Sequence, residues 1–311
     1  MLQTVSKSFF QILAGSLALK SLASRYGMRG DRGFARRFIA GETVETAIAA
    51  ARNLQTADLL VTLDYLGESV GTAAEADAAT RAYLGVIEKI AAAGVERNIS
   101  LKLTQLGLTI DRATCVDNLR RILDAAAANS FFVRIDMENS PFTAVTLDVF
   151  ETMWQQEYRN VGVVLQSYLP RSEADAARMN ALGARVRLVK GAYNEPRGVA
   201  CQSKADVDAA FVRIMMTLLS DGTYPAIATH DPAMIEQTRA FAAERGIQSS
   251  RYEFQMLYGI RRDLQTSLSR EGYRVRVYVP FGREWFPYFM RRLGERPANV
   301  AFVVRSLLSE R

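Results

Sequence analysis

Eight short runs rich in valine, isoleucine and leucine recur along this 311-residue chain from residue 55 onward, and each is followed by a longer stretch of helical period. In 204–220, for example, Val207, Phe211, Ile214, Met215 and Leu218 recur at the spacing of one helix face. Strands that alternate with helices pair in parallel, because a crossover must carry the chain back to the same end of the sheet. The predicted strands span 59–64, 99–103, 131–136, 162–167, 185–190, 225–229, 252–256 and 274–279.

Eight such units in about 250 residues are typical of a (β/α)8 TIM barrel, so we assign the chain to the α/β class. A doubly wound open sheet is the alternative, but it usually has fewer strands, and no GxGxxG loop follows the first run. We divide the chain into an N-terminal helical arm, residues 1–45, and the barrel, residues 46–311.

The N-terminal arm carries most of the net charge of +6, since residues 1–42 hold seven basic and two acidic side chains. Phe9, Leu13 and Leu17 fall at spacings of four, which indicates an amphipathic helix, and Lys20 interrupts a run too short to span a bilayer. A basic arm suits an acidic surface. We expect a cytoplasmic protein that contacts the inner face of the membrane through this arm, with no nucleic-acid partner; a solvated helical cap on the barrel is the alternative.

Polar residues end seven of the predicted strands, and in a barrel the carboxyl ends of the strands carry the chemistry. Each such residue alone is explained as well by a structural ion pair. A set that converges on one rim is better explained by function, because buried polar groups are costly unless they are paired. The set comprises Lys102, Asp136, Glu138, Gln166, Arg187, Lys190, Thr229, His230, Glu253, Gln255 and Tyr278.

Strand alternation separates two of these residues. Along 185–190, Arg187 and Lys190 point to opposite faces, so they cannot both enter the barrel from the strand. We expect one of the two to act through the turn that follows. The loop 191–203 contains two glycines and a proline, and we interpret it as a lid over the strand ends.

The final predicted helix, 284–295, has two faces. One is apolar, while Tyr288, Arg291, Arg292 and Glu295 form the other. An adjacent arginine pair with a tyrosine one turn earlier can clamp a carboxylate through bidentate hydrogen bonds. The alternative is a solvated basic surface, which contributes little.

Several classes of site are missing from the sequence. His230 is the only histidine, which disfavours histidine-clustered metal sites and a Ser-His-Asp hydrolase, and we expect no metal site. There is no Walker motif. Cys115 and Cys201 form no CxxC pair, so we expect reduced thiols. The remaining pattern suits a phosphate-bearing cofactor together with a small carboxylate.

Seven segments of the chain resemble the proline dehydrogenase family, in its short monofunctional bacterial form. They cover essentially the whole barrel in family order, and RLVKGAY and the YxxRR helix are the most specific. The segments are SLKLTQLG (100–107), VRIDMENS (133–140), VVLQSYL (163–169), RLVKGAY (187–193), ATHD (228–231), YEFQMLYG (252–259) and YVPFG…PYFMRRLGE (278–295).

The resemblance implies a distorted TIM barrel that holds FAD without a covalent bond and oxidises L-proline to Δ1-pyrroline-5-carboxylate, with a membrane quinone as electron acceptor. It implies that Asp136 and Arg187 are catalytic, with Arg187 beside the flavin and Asp136 paired with the Lys102/Arg292 group. The implied substrate-binding residues are Lys102, Leu257, Tyr278, Tyr288, Arg291 and Arg292. The implied FAD-binding residues are Met137, Gln166, Arg187, Val189, Lys190, Gly191, Ala192, Thr229, His230, Gln255 and Glu295.

Two positions depart from the family pattern: Asp231 stands where asparagine is common, and Met256 where several relatives carry cysteine. Two alternatives to proline oxidation remain open. The first alternative is a flavin dehydrogenase for another cyclic or N-alkylated amino acid. The second is a catalytically silent barrel that binds a membrane or a partner.

Overall fold

The computed structural model describes residue 28 and residues 33–295. The described chain starts with a short 3-10 helix, Phe34–Arg37, before eight repeats of helix and strand. Residues 1–27 and 29–32 of the N-terminal arm lie outside the described residues, and the predicted amphipathic helix falls among them. That helix, the membrane contact and the boundary at residue 46 stay predictions. None of the described helices is long and apolar enough to cross a membrane.

Eight strands form the core of the fold, and each lies within one or two residues of its predicted bounds. They are β1 Leu60–Tyr65, β2 Asn98–Leu101, β3 Phe132–Ile135, β4 Val161–Gln166, β5 Arg185–Val189, β6 Ala226–Ala228, β7 Glu253–Leu257 and β8 Val275–Phe281.

Nine α-helices surround or cap the strands in the described part of the chain. They are α1 Val44–Gln55, α2 Ala73–Ala93, α3 Arg112–Ala128, α4 Ser140–Gln155, α5 Ser172–Leu182, α6 Lys204–Asp221, α7 Pro232–Glu244, α8 Arg262–Arg270 and α9 Trp285–Glu295. Side-chain caps begin several of them; α2, for example, starts at a capping box between Thr72 and Glu75.

The sheet is a closed barrel in which every strand pairs in parallel with its neighbours in sequence. Closure comes from the pairing of β1 with β8, which runs from Leu60 opposite Arg276 to Tyr65 opposite Phe281. The (β/α)8 prediction is therefore confirmed, and the open-sheet alternative is wrong. All eight carboxyl ends meet at one rim, hereafter called the mouth.

Burial on both faces explains the composition of the strands. All six residues of β4 are buried, because one face points into the barrel and the other packs against helices. The apolar face of α9 belongs to a separate core, in which Trp285, Phe286 and Phe289 pack with Phe38 and Ile39. This second core holds α9 at the mouth.

Candidate active site at the mouth of the barrel

A cavity of about 550 Å³ opens at the carboxyl ends of the strands. It is lined by every residue that the family resemblance predicts for the site and whose side chain the structure describes; the side chain of Glu295 lies outside the described part. Glu138 and Glu253, which belong to the predicted strand-end set, do not line the cavity. The lining includes Lys102, Asp136, Met137, Gln166, Arg187, Val189, Lys190, Gly191, Ala192, Thr229, His230, Gln255, Leu257, Tyr278, Tyr288, Arg291 and Arg292.

Arg187 is the hub of the hydrogen bonds inside the mouth. Its Nη1 donates to Asp136 Oδ1 at 2.7 Å, its Nε to Gln255 Oε1 at 2.5 Å and its Nη2 to Ser100 Oγ at 3.1 Å. The side chain is 5% exposed and lies over the ring of Tyr278. A guanidinium with three such partners presents a fixed positive charge to the cavity.

Asp136 joins Arg187 to Tyr278. Its Oδ2 accepts a hydrogen bond from the Tyr278 hydroxyl at 2.7 Å. Burial, together with the nearby negative charges of Asp136 and Asp64, raises the pKa of Tyr278 well above its ordinary value. Tyr278 therefore remains a protonated hydrogen-bond donor at the wall of the cavity.

Lys102 lies between two carboxylates. Its Nζ is 3.6 Å from Asp64 Oδ2 and 3.8 Å from Asp136 Oδ2. Burial disfavours the charge on Lys102, but the two carboxylates outweigh burial and raise its pKa. Burial also raises the pKa of Asp64, which has no exposed surface. Asp64 was not among the predicted site residues, although a lone aspartate at the end of an apolar strand is the signal that identified Asp136.

The arginine pair of α9 faces the cavity and not solvent. Arg291 Nη1 donates to Glu68 Oε1 at 3.0 Å, and its guanidinium lies 5.9 Å from the Tyr193 ring centroid. Burial opposes the charge of Arg291, but Glu68 outweighs it and raises the pKa. The Arg292 residue is 7% exposed, with its guanidinium over the ring of Tyr288. The alternative of a solvated basic helix surface is therefore wrong.

Lys190 lies at the edge of the cavity, one residue past the end of β5. Its Nζ donates to Asp208 Oδ1 at 2.5 Å and to Asp231 Oδ2 at 2.8 Å, and Lys204 contacts the same two carboxylates. Burial opposes the charge of Asp231, but the hydrogen bond from Lys190 outweighs it and lowers the pKa to about 2. The expected split is confirmed: Arg187 enters the barrel, while Lys190 acts beyond the strand.

The loop 191–203 lines one side of the cavity and is tied to the start of α4. Glu195 accepts hydrogen bonds from Ser140 N at 2.6 Å and Ser140 Oγ at 2.5 Å. Gly191 adopts a φ of +122°, and a Cβ there would come within 2.6 Å of the Tyr168 ring, so this turn requires glycine.

His230, just after β6, also lines the cavity. His230 Nε2 accepts a hydrogen bond from the backbone N–H of Leu257 at 2.9 Å, so this ring nitrogen carries no proton. Cations at the rim and apolar side chains such as Met137 and Val189 line the same cavity. This combination of side chains suits a ligand with both phosphates and a flat apolar ring.

A closed (β/α)8 barrel with a charged cavity at the carboxyl ends of its strands is the architecture of TIM-barrel enzymes. The sequence profile described as "Proline dehydrogenase" matches residues 47–305. The chain belongs to the proline dehydrogenase family.

Curated bacterial relatives match nearly the full chain. Proline dehydrogenase 2 of Bacillus subtilis is 41% identical over 303 residues, which cover 97% of this chain and 99% of the relative. The proline dehydrogenase of Deinococcus radiodurans is 43% identical over 278 residues, covering 88% and 90%.

Among solved structures, proline utilization A (PutA) of Bdellovibrio bacteriovorus superposes with a TM-score of 0.79 at 28% identity. The match covers 84% of this chain but 32% of that one, so the chain spans about a third of the length of that protein.

Proposed function

We propose that this protein catalyses the FAD-dependent oxidation of L-proline to Δ1-pyrroline-5-carboxylate and passes the electrons to a membrane quinone. The observation that carries the proposal is the convergence of Arg291, Arg292 and Lys102 on the cavity that also contains the Arg187–Asp136 pair. The curated relatives that match the full chain are proline dehydrogenases, which supports the choice of substrate.

The substrate carboxylate binds the arginine pair, with Lys102 beside it. Four cations line the cavity at this place: Lys102, Arg187, Arg291 and Arg292. Such a cluster of cations attracts a ligand that carries a carboxylate. Tyr278, Tyr288 and Leu257 enclose the apolar ring.

FAD, when bound, would supply the acceptor for the hydride of the substrate carbon. Lys190, Gly191 and Ala192 would hold its phosphates or flavin, and Arg187 would lie beside the flavin. The other proposed FAD contacts are Met137, Gln166, Val189, Thr229, His230, Gln255 and Glu295.

The residues of the mouth also favour loss of the amine proton of proline. A neighbouring positive charge lowers the pKa of an ammonium group, and Arg187 and Lys102 stay charged next to the cavity. Asp136 fixes Arg187 through one oxygen and Tyr278 through the other. Asp136 therefore positions Arg187 and Tyr278 and takes no direct part in hydride transfer.

We place the protein in the cytoplasm, with the basic N-terminal arm on the inner face of the membrane near the quinone. If charge alone attaches the arm, a high-salt wash releases the protein from isolated membranes, because salt screens exposed charges. Retention after the wash would show that charge does not account for the attachment.

Dye reduction with a panel of substrates tests the proposed reaction. Protein purified with added FAD is assayed with L-proline, D-proline, hydroxyproline, pipecolate and N-methylproline, and the cyclic product is identified by mass spectrometry. We expect L-proline to give the highest kcat/KM. Preference for another analogue would reassign the substrate, and no turnover with any of them, together with binding to anionic vesicles, would favour the silent barrel.

A further inference from the structure

Asp64 is a buried carboxylate that the proposed function leaves without a role. It lies near the end of β1 with no exposed surface. Tyr278 and Lys102 are its polar neighbours: the Tyr278 hydroxyl, which donates to Asp136 at 2.7 Å, also interacts with Asp64, and Lys102 Nζ lies 3.6 Å from Asp64 Oδ2. A buried carboxylate with so few partners costs roughly several kcal/mol, so it calls for an explanation other than stability.

Lys102 supplies that explanation. The two carboxylates near its Nζ differ in what else they bind: Asp136 gives one oxygen to Arg187 and the other to Tyr278, whereas Asp64 has Lys102 as its ion-pair partner at 3.6 Å. The Lys102 residue is itself 6% exposed and is near the cations of the mouth. Burial and like charge both favour loss of a proton from a lysine.

We propose that Asp64 is a positioning residue that keeps Lys102 protonated over the working pH range, so that Lys102 meets the substrate carboxylate as a fixed cation. This inference rests on the proposed function, in which Lys102 lies beside that carboxylate. It differs from a purely structural role because it makes the charge of Lys102, and not only the fold, depend on Asp64.

The other charged and titratable groups around Lys102 do not replace Asp64. Asp136 and Glu68 have arginine partners, and Glu138 accepts hydrogen bonds from Thr104 N and Oγ1. The groups that face Lys102 are Asp64 from β1, Glu68 from the β1–α2 connection, Asp136 and Glu138 from the end of β3, and Tyr193 from the loop 191–203.

The test is the pH dependence of ligand binding in Asp64→Asn, a neutral isostere. The ligand is the oxygen analogue of proline, in which an ether oxygen replaces the amine, so the ligand does not titrate above neutral pH. Its Kd is measured from the change in the flavin spectrum of the FAD-loaded protein.

In the wild type we expect a Kd that is constant between about pH 6.5 and 9, since Lys102 stays charged. In Asp64→Asn we expect the Kd to rise by about tenfold across the upper part of this range, because the protonated fraction of a lysine falls tenfold per pH unit above its pKa. Replacing Lys102 by arginine in the same variant restores a constant Kd, because arginine does not lose its proton.

Asp175→Asn is the matched control, because it removes a buried carboxylate whose partner is Arg171 and which does not line the cavity, and its Kd keeps the pH dependence of the wild type. If Asp64→Asn raises the Kd by the same factor at every pH, the inference is overturned, while the proposed carboxylate site is unaffected. If the analogue fails to bind the wild type, the proposed function fails and the inference fails with it. If the asparagine variant does not fold, the pH dependence of the Kd is measured in Asp64→Ser, whose smaller side chain leaves room for a water. The same outcomes then support or overturn the inference.

Discussion

The barrel buries charged residues at both ends, and the two groups are built differently. At the amino end, Glu96, Arg134, Glu253 and Arg276 form what we call the floor cluster. Arg276 donates to Glu253 Oε1 at 2.8 Å, to Glu96 Oε1 at 2.6 Å and to the carbonyl oxygen of Val61 at 2.6 Å. Arg134 donates to the carbonyl oxygens of Val163 and Arg185.

At the carboxyl end, the charges are less completely matched. Lys102 lies 3.6 and 3.8 Å from its two carboxylates, and Asp64 and Asp136 share the hydroxyl of Tyr278. Asp64 and Glu253 are both almost fully buried, yet their pKa values shift in opposite directions. Burial raises the pKa of Asp64, whereas Arg276 outweighs burial and lowers the pKa of Glu253.

Burial alone therefore does not determine whether a charged residue inside the barrel has a structural or a binding role. The charged groups of the floor cluster are paired within the protein, which is typical of a structural network. The charged groups of the mouth are less completely paired and face a cavity, which is typical of a binding site. Gln255 connects the two, because its Nε2 donates to Glu253 at 2.5 Å and its Oε1 accepts from Arg187 at 2.5 Å.

The largest expected effect is on stability, from Arg276→Met at the floor. The change leaves buried Glu253 and half-buried Glu96 without their main cation, so we expect the free energy of unfolding to fall by about 3–5 kcal/mol in urea titrations. Arg274→Met is the control, because Arg274 is exposed and its loss costs about 1 kcal/mol or less. Equal losses for the two variants would remove the distinction between the floor and the surface.

Next in size is the effect of Arg291→Met on substrate binding. Loss of a charged bidentate contact costs about 3 kcal/mol, so we expect the KM for proline to rise by roughly 10². The change also removes the partner of Glu68, so the free energy of unfolding is measured in parallel. Arg283→Met, just before α9 and exposed, controls for loss of positive charge near the mouth. An unchanged KM in Arg291→Met would show that the arginine pair does not bind the carboxylate.

A smaller effect is expected for Tyr278→Phe, which removes the hydroxyl that donates to Asp136 at 2.7 Å. A hydrogen bond to a charged group is worth about 1.5–3 kcal/mol, so kcat/KM falls by roughly tenfold to a hundredfold. Steady-state dye reduction measures the change. A value within twofold of the wild type would mean that Asp136 does not need Tyr278 to keep Arg187 in place.

The smallest effect is expected at the rim, from Asp231→Asn. Asparagine still caps α7 but no longer competes for Lys190, so FAD binds about two- to fivefold more tightly. The lowered pKa of Asp231, about 2, means that its charge is present above its unfolded pKa and is lost only as pH falls through 2. The ratio of the two Kd values, measured by flavin fluorescence, is therefore constant from about pH 5 to 9. Weaker FAD binding in the variant would show that Asp231 supports the cofactor.

The sequence predicted the barrel well, because each strand and helix leaves a local pattern. Alternation along β5 also predicted that Arg187 and Lys190 point to opposite faces of the strand. The contacts between distant residues were beyond its reach: Arg291 meets Glu68 across 223 positions, and Arg276 meets Glu96 across 180. Such pairs depend on closure of the sheet between β1 and β8, which sets which loops become neighbours.

The floor cluster shows a second limit of the sequence. Glu253 was grouped with the strand-end residues, but it begins β7 and lies at the amino end of the barrel. Arg276, near the start of β8, was not predicted to have a role, because an arginine in a strand is equally compatible with either face. Gly162 makes room for the floor, since a Cβ there would come within 2.7 Å of the Arg134 guanidinium. Packing of this kind is visible only when the strands are placed side by side.

Anaerobic reduction of the bound flavin tests the central claim most directly. Protein loaded with FAD is mixed with L-proline in the absence of oxygen, and the absorbance of oxidised flavin is followed. The account predicts that the yellow colour bleaches in the wild type and that Arg291→Met needs roughly a hundredfold more proline for the same effect. A protein that binds no FAD, or a bound flavin that L-proline leaves oxidised, would contradict it.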